Sequence, residues 1–267
     1  MAGPSRYGRR LARVAAPLLI GLATLAGWEA VVRLEGIPPY ILPSPALVLE
    51  TLWRDGPLLV ASLWVTLRLA LLALAAAAGL GLTLAILLSQ SRWIEISVLP
   101  YAVTLQVTPI VAIAPLIIIW VDDALLSLLI CAWIVAFFPI VSNTTVGLNS
   151  AERNLVDLFR LYGATRVQTL WRLRLPTALP YFLAGLRISG GLALIGAVVA
   201  EFVAGTGGTE TGLAYRILEA GYRLQVPRMF AALLVLSVVG VLIYLVLDAL
   251  SRRVLRHWHE SAMPTER

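Results

Sequence analysis

Long apolar runs separated by short arginine-bearing stretches give the chain its pattern. The runs lie near residues 14–34, 61–89, 96–120, 124–147, 178–204 and 229–251. Each is about 20 residues or longer, the length a helix needs to cross the hydrocarbon core of a bilayer. The pattern predicts an all-α integral membrane protein with six transmembrane helices. With 60% hydrophobic and 13% charged residues and a mean hydropathy of +0.87, the chain carries too much apolar side chain for a soluble surface to hide. Six spans with short connections fill most of 267 residues and leave little for an extramembrane domain.

The first run follows Arg6, Arg9, Arg10 and Arg13, as in the basic region of a signal peptide. Its apolar stretch is longer than a signal core and no clear small-residue cleavage site follows, so it reads as an uncleaved span. Arginine placement sets orientation, because positive charge near span ends stays in the cytoplasm. Fourteen arginines fall in the N-terminal tail, the second-to-third and fourth-to-fifth connections and the C-terminal tail, against five on the other side. Both termini are therefore expected in the cytoplasm. The layout is a tail over 1–13, a first span over 14–34, an outer loop over 35–60, a five-span core over 61–251 and a tail over 252–267.

All 21 basic residues are arginine. Without lysine there is no Walker A loop to hold nucleotide phosphates and no Schiff-base chemistry. Cys131 stands alone in an apolar run, which excludes a disulfide framework and a cysteine-rich metal site. His257 and His259 sit in the C-terminal tail beside Trp258, so no span carries a histidine to activate a serine. The pair Asp122 and Asp123 stands apart from other carboxylates and reads as a solvated tip. The inventory predicts no catalytic residue, no metal and no cofactor.

The stretch 148–177 between the fourth and fifth runs holds Arg153, Arg160, Arg166, Arg172 and Arg174. Leu155, Leu158, Phe159 and Tyr162 recur at helical spacing, with Arg153, Asp157 and Arg160 on other faces, which predicts a short amphipathic helix. Gly163 ends it, since a residue without Cβ takes the left-handed conformation that turns the chain. Ala164 and Thr165 start a second short helix toward Trp171, and Pro176 and Pro180 mark return to the membrane. Taken alone, such a loop is also what an interfacial helix pair on anionic lipid would show.

The order Asp157-Leu158-Phe159, Gly163-Ala164, then Leu173-Arg-Leu175-Pro176 after nine residues resembles the cytoplasmic loop of ATP-binding-cassette importer permeases, Glu-Ala-Ala-x3-Gly-x9-Ile-x-Leu-Pro. The resemblance covers about residues 60 to 255 and is nearest to the nitrate, sulfonate and taurine group. Pro109 and Pro115 match the proline-bearing third span of that group, and Ala200-Glu201-Phe202 matches its recurrent acidic site. The resemblance implies a type I importer permease whose coupling helix docks in a groove of the ATPase through Asp157, Leu158, Phe159, Gly163, Ala164, Leu173, Leu175 and Pro176. It also implies a second permease copy, two ATP-binding subunits, an extracytoplasmic solute-binding protein and membrane lipid as partners, with no nucleic acid. Its substrates would be nitrate, sulfonates, taurine or pyrimidine-type vitamin precursors. Leu158 and Phe159 depart from the family's two alanines and leave open which face docks.

Four residues are candidates for the translocation path: Pro109, Pro115, Glu201 and Arg68. The prolines either bend a moving helix or hold a fixed kink. Glu201 lines a substrate entrance or faces interfacial water, and Arg68 attracts an anionic solute or snorkels outward. If the fifth span begins later than residue 178, Arg187 is a structural residue paired with Asp157 or Glu152. Gly79, Gly81, Gly185, Gly190, Gly191 and Gly196 predict close helix packing. A six-span secondary carrier or substrate-capture subunit is the alternative, and it would not need Gly163 and Leu175-Pro176 at fixed spacing.

Overall fold

Every element among the described residues is a helix, as the bilayer requires of a chain that must close its backbone hydrogen bonds within each segment. The computed structural model describes residues 6–205 and 211–256. Arg267, His257, His259, Glu210 and Thr206 to Gly208 of the glycine-rich stretch lie outside them. In chain order the helices are α1 (Arg6–Leu34), α2 (Pro45–Arg54), α3 (Gly56–Gln90), α4 (Arg92–Val107), α5 (Ile110–Trp120) and α6 (Ala124–Asn149). Then follow α7 (Arg153–Leu161), α8 (Arg166–Thr169), a π turn (Leu170–Arg174), α9 (Leu175–Ala204), α10 (Leu213–Tyr222) and α11 (Val226–Leu255).

Five helical runs are long and apolar enough to cross a membrane, six if α4 and α5 form one bent span. That third span corrects the expectation of one kinked helix: α4 and α5 meet at 100°. The cause is local. Pro109 has no N–H to give, and its ring pushes the preceding residue out of the α region, so Thr108 sits at φ −68°, ψ 124°. Pro115, inside α5, breaks nothing.

The return after the loop is continuous through both prolines. No break occurs at Pro176 or Pro180; α8 passes through the π turn into α9 as one run from Arg166 to Ala204. Leu175 N–H donates to the Leu170 carbonyl, the five-residue spacing of a π turn, just where Pro176 has no N–H for an α-helical bond. Two short helices, α2 and α10, occupy stretches expected to be loops. Ser44 caps α2, its Oγ accepting from Leu47 N–H at 3.3 Å, with Pro45 at the first helical position.

The chain divides into two compact units, one of Met1–Ala61 with Arg216–Val235, the other of Ser62–Tyr215 with Leu236–Arg267. In the first, Trp28 packs on Phe230 with ring centroids 5.8 Å apart. Arg228 Nε donates to Asp55 Oδ2 at 2.6 Å, both side chains largely buried. In the second, α6 lies directly on α9. Gly147, Gly185 and Gly196 are the contact points: a Cβ on Gly196 would stand 2.9 Å from Ala132 Cα, and one on Gly185 2.8 Å from the Pro139 carbonyl. Gly81 and Gly190 also sit against neighbours, whereas Gly79 and Gly191 face open space. Leu69, Ala70, Ala73, Ala132, Leu194 and Ala197 form a buried cluster beside this contact.

Arg187 does not reach Asp157 or Glu152. It stands twelve residues into α9, about 18 Å from the start of that helix. Its Nη1 donates instead to Asp248 Oδ1 of α11 at 2.9 Å, with the Tyr244 ring 5.8 Å away, and Arg252 holds the other oxygen at 2.6 Å. A charge within the span is thereby paired.

Gly196→Leu should lower the melting temperature in detergent by several degrees, because overpacking costs about 1–3 kcal/mol, while Gly191→Leu should not. Equal stability of both variants would show that α6 and α9 are not held by this contact. The Arg228 guanidinium holds the Asp55 carboxyl below its ordinary value of 3.8. A depressed carboxyl stabilises the fold above its unfolded pKa and loses that contribution as pH falls through the lowered value. Melting curves from pH 7 to pH 3 should therefore show an acid-side loss that Asp55→Asn reduces.

Candidate functional site

The α6–α9 loop is built outward from an apolar anchor. Ala85, Leu148 and Ala178 form a buried cluster where α3, α6 and α9 meet, and Leu170 and Leu175 pack on it. Leu173 is 8% exposed. Arg174 Nη1 donates to the Ser89 carbonyl in the last turn of α3 at 3.2 Å, where helix carbonyls lack partners and favour a cation. Ser150 closes α6, its Oγ donating to the Gly147 carbonyl. Both ends of the loop are fixed to spans.

Between those ends α7 stands out. Val156 and Phe159 are half-buried, whereas Leu155, Leu158, Leu161 and Tyr162 are 41%, 44%, 85% and 84% exposed. Asp157 pairs with Arg160 at 3.3 Å in the open, a contact of little weight. Gly163 then takes φ +68°. Its N–H donates to the Arg160 carbonyl at 3.0 Å and Ala164 N–H to the Phe159 carbonyl at 2.9 Å, the two bonds of a Schellman stop. Thr165 starts α8 with a capping box: its Oγ1 accepts from Gln168 N–H, and Gln168 Oε1 accepts from Thr165 N–H at 2.8 Å. Sequence reading named Thr165 only as a helix start; the Gln three residues on was the missed signal.

The loop encloses two hollows. One, of about 460 Å³, is lined by Leu158, Phe159, Tyr162, Gly163, Ala164 and Gln168, together with Arg172. The other, of about 440 Å³, brings Arg160, Arg166 and Arg174 around Ser89 and Gln90 at the end of α3. Of the loop candidates, Leu158, Phe159, Gly163 and Ala164 thus share the first hollow. Leu173 is buried, Leu175 packs on the anchor, and Pro176 opens α9. Asp157 lines neither hollow.

The four path candidates are not brought together into one lining. Pro109 and Pro115 are exposed at the α4–α5 corner and within α5. Arg68 is exposed on α3 between Trp64 and Leu72 on the same face. Glu201 is buried, 5% exposed, and bonded to Thr66 and to the backbone at Ala214. Thr66 was missed, although a hydroxyl inside a long apolar run is a visible polar signal. Among the described residues no three His, Cys, Asp or Glu side chains gather to hold a metal.

Residues 56–256 match the family model described as the binding-protein-dependent transport system inner membrane component. The chain belongs to this family. It is a multi-pass inner-membrane permease of the ATP-binding-cassette importer kind, in the sulfonate, taurine and vitamin-precursor group. The riboflavin transport system permease RibX of Chloroflexus aurantiacus is 40% identical, over 89% of this chain and 87% of that protein. The formylaminopyrimidine transport permease ThiX of Halalkalibacterium halodurans is 34% identical, over 85% and 89%. The taurine transport system permease TauC of Escherichia coli is 33% identical, over 88% and 86%. An inward-facing structure of the MetNI methionine ABC transporter shares the fold, with a TM-score of 0.65 at 20% identity over 75% of this permease and 98% of that chain.

The left-handed turn of this permease can be tested directly. Gly163→Ala places a Cβ at φ +68°, which costs about 1–2 kcal/mol. Trypsin should then cut after Arg160 and Arg166 at least roughly fivefold faster than in the native protein, with the spans still protected. Unchanged cleavage would mean that the turn does not hold the loop.

Proposed function

We propose that two copies of this permease form the path for a small solute, with the α6–α9 loop as the point where an ATP-binding subunit drives the change of conformation. The observation that carries the reading is the set of exposed apolar side chains on α7, α8 and the π turn. Leu158, Leu161, Tyr162, Val167 and Trp171 stay 44% to 85% exposed on a loop whose other side is anchored. Exposed apolar groups rimmed by polar ones mark contact surfaces. The docking face is therefore that of Leu158, Leu161 and Tyr162, not that of Val156 and Phe159, which are turned inward. Leu158 and Phe159, bulkier than the two small residues of the family's loop, both line the hollow beside this face, Leu158 being the more exposed of the two.

Both termini lie in the cytoplasm, as the arginine distribution indicates. ATP hydrolysis belongs to the separate subunit, since this chain has no lysine for a phosphate loop. A solute-binding protein delivers the cargo from the opposite side. The names of the relatives point to small polar or aromatic organic solutes, of which riboflavin, formylaminopyrimidine and taurine are the three examples.

Purification of the tagged chain from its native membrane in mild detergent should recover a P-loop ATPase with measurable ATP hydrolysis. The double variant Leu158→Glu, Tyr162→Glu and the variant Gly163→Glu should insert normally and lose the ATPase. Recovery of the chain alone, under conditions that keep a known importer intact, would overturn the reading.

A further inference from the structure

Far from the loop, at the other end of α9, a carboxylate is buried where three chain segments meet. Glu201 occupies the last turn of α9, Thr66 lies in α3 and is fully buried, and Thr211 to Ala214 lead into α10 with 4% exposure or less at Thr211, Leu213 and Ala214. Thr66 Oγ1 lies 2.8 Å from Glu201 Oε1 and 3.0 Å from Oε2, donating its one proton to the carboxylate. The same hydroxyl accepts from Leu213 N–H at 2.8 Å. Ala214 N–H donates to Glu201 Oε2 at 3.0 Å.

These two amides are the first of α10, and a helix's first amides have no partner within the helix. The usual remedy is an oxygen-bearing side chain just before the helix. Here that position is Gly212, which has no side chain, and a Cβ on it would overlap the Glu201 carboxylate. The missing cap and the room it leaves are one arrangement: α10 is capped by side chains of α3 and α9. Among the described residues no arginine forms an ion pair with Glu201; its partners are neutral.

We infer that Glu201 and Thr66 are positioning residues that clamp the first turn of α10 onto α3 and α9, and that Glu201 acts as a pair of hydrogen-bond acceptors rather than as a charge presented to the solute. This assignment replaces the choice between a path-lining and a water-facing carboxylate, and it stands whether or not the transport reading holds. A glutamine serves the same role: its amide oxygen accepts from Ala214, and its NH2 donates to Thr66 Oγ1.

Hydrogen exchange by mass spectrometry on the full chain in detergent tests it through the peptide holding Thr211 to Tyr215. Thr66→Val removes the hydroxyl with little change of shape, and Glu201→Ala removes both acceptors. Each should speed exchange in this peptide about tenfold, the effect of losing a helix cap. Thr66→Ser and Glu201→Gln should keep native protection. If Glu201→Ala fails to insert, Thr66→Val alone decides. Native protection in Thr66→Val would overturn the clamp, and so would loss of protection in Glu201→Gln equal to that in Glu201→Ala, which would show that the charge itself is required.

Discussion

Backbone-to-backbone approach of α6 and α9 is the constraint on which the rest of the larger unit depends. In lipid, apolar side chains gain nothing by leaving water, so helix association rests on how closely two backbones fit. Gly147, Gly185 and Gly196 allow that fit at three levels along the pair. The loop proposed to meet the ATPase is simply the chain passing from one of these helices to the other. Because its two ends belong to the best-packed pair, and because Leu170, Leu175 and Arg174 tie it to α3 as well, its exposed face is presented on a rigid base.

Charge follows the same economy. Each ion within or beside a span of the described chain that is removed from water has a defined partner: Asp55 with Arg228, Arg187 with Asp248, Glu201 with a hydroxyl and an amide. Other arginines gather around the loop, where Arg160, Arg166 and Arg174 line one hollow.

The spans and the loop were legible from sequence because both are written in local patterns. Apolar run length fixes a span, and Gly163 at the end of an amphipathic stretch fixes a turn. What stayed hidden depends on distant partners. Thr108 shows why a proline at the start of a helix and one inside it differ: Pro109 pairs with an extended predecessor and a 100° corner, while Pro115 is absorbed. No spacing rule brings Glu201 to Thr66, 135 residues apart, or Arg187 to Asp248, 61 apart. Short helices such as α2 and α10 escaped for a different reason, since ten amphipathic residues do not register against runs three times as long.

The π turn joins α8 to α9 without a hinge, so the 39 residues from Arg166 to Ala204 form one rod, about 58 Å long at 1.5 Å per residue. A rod converts small rotations into large displacements: tilting it by about 5° about its loop end swings the far end by about 5 Å. Glu201 rides on that far end. The carboxylate that caps α10 thus stands near the far end of the same continuous helix that begins in the loop, so the position of the first turn of α10 and the orientation of that helix are set together.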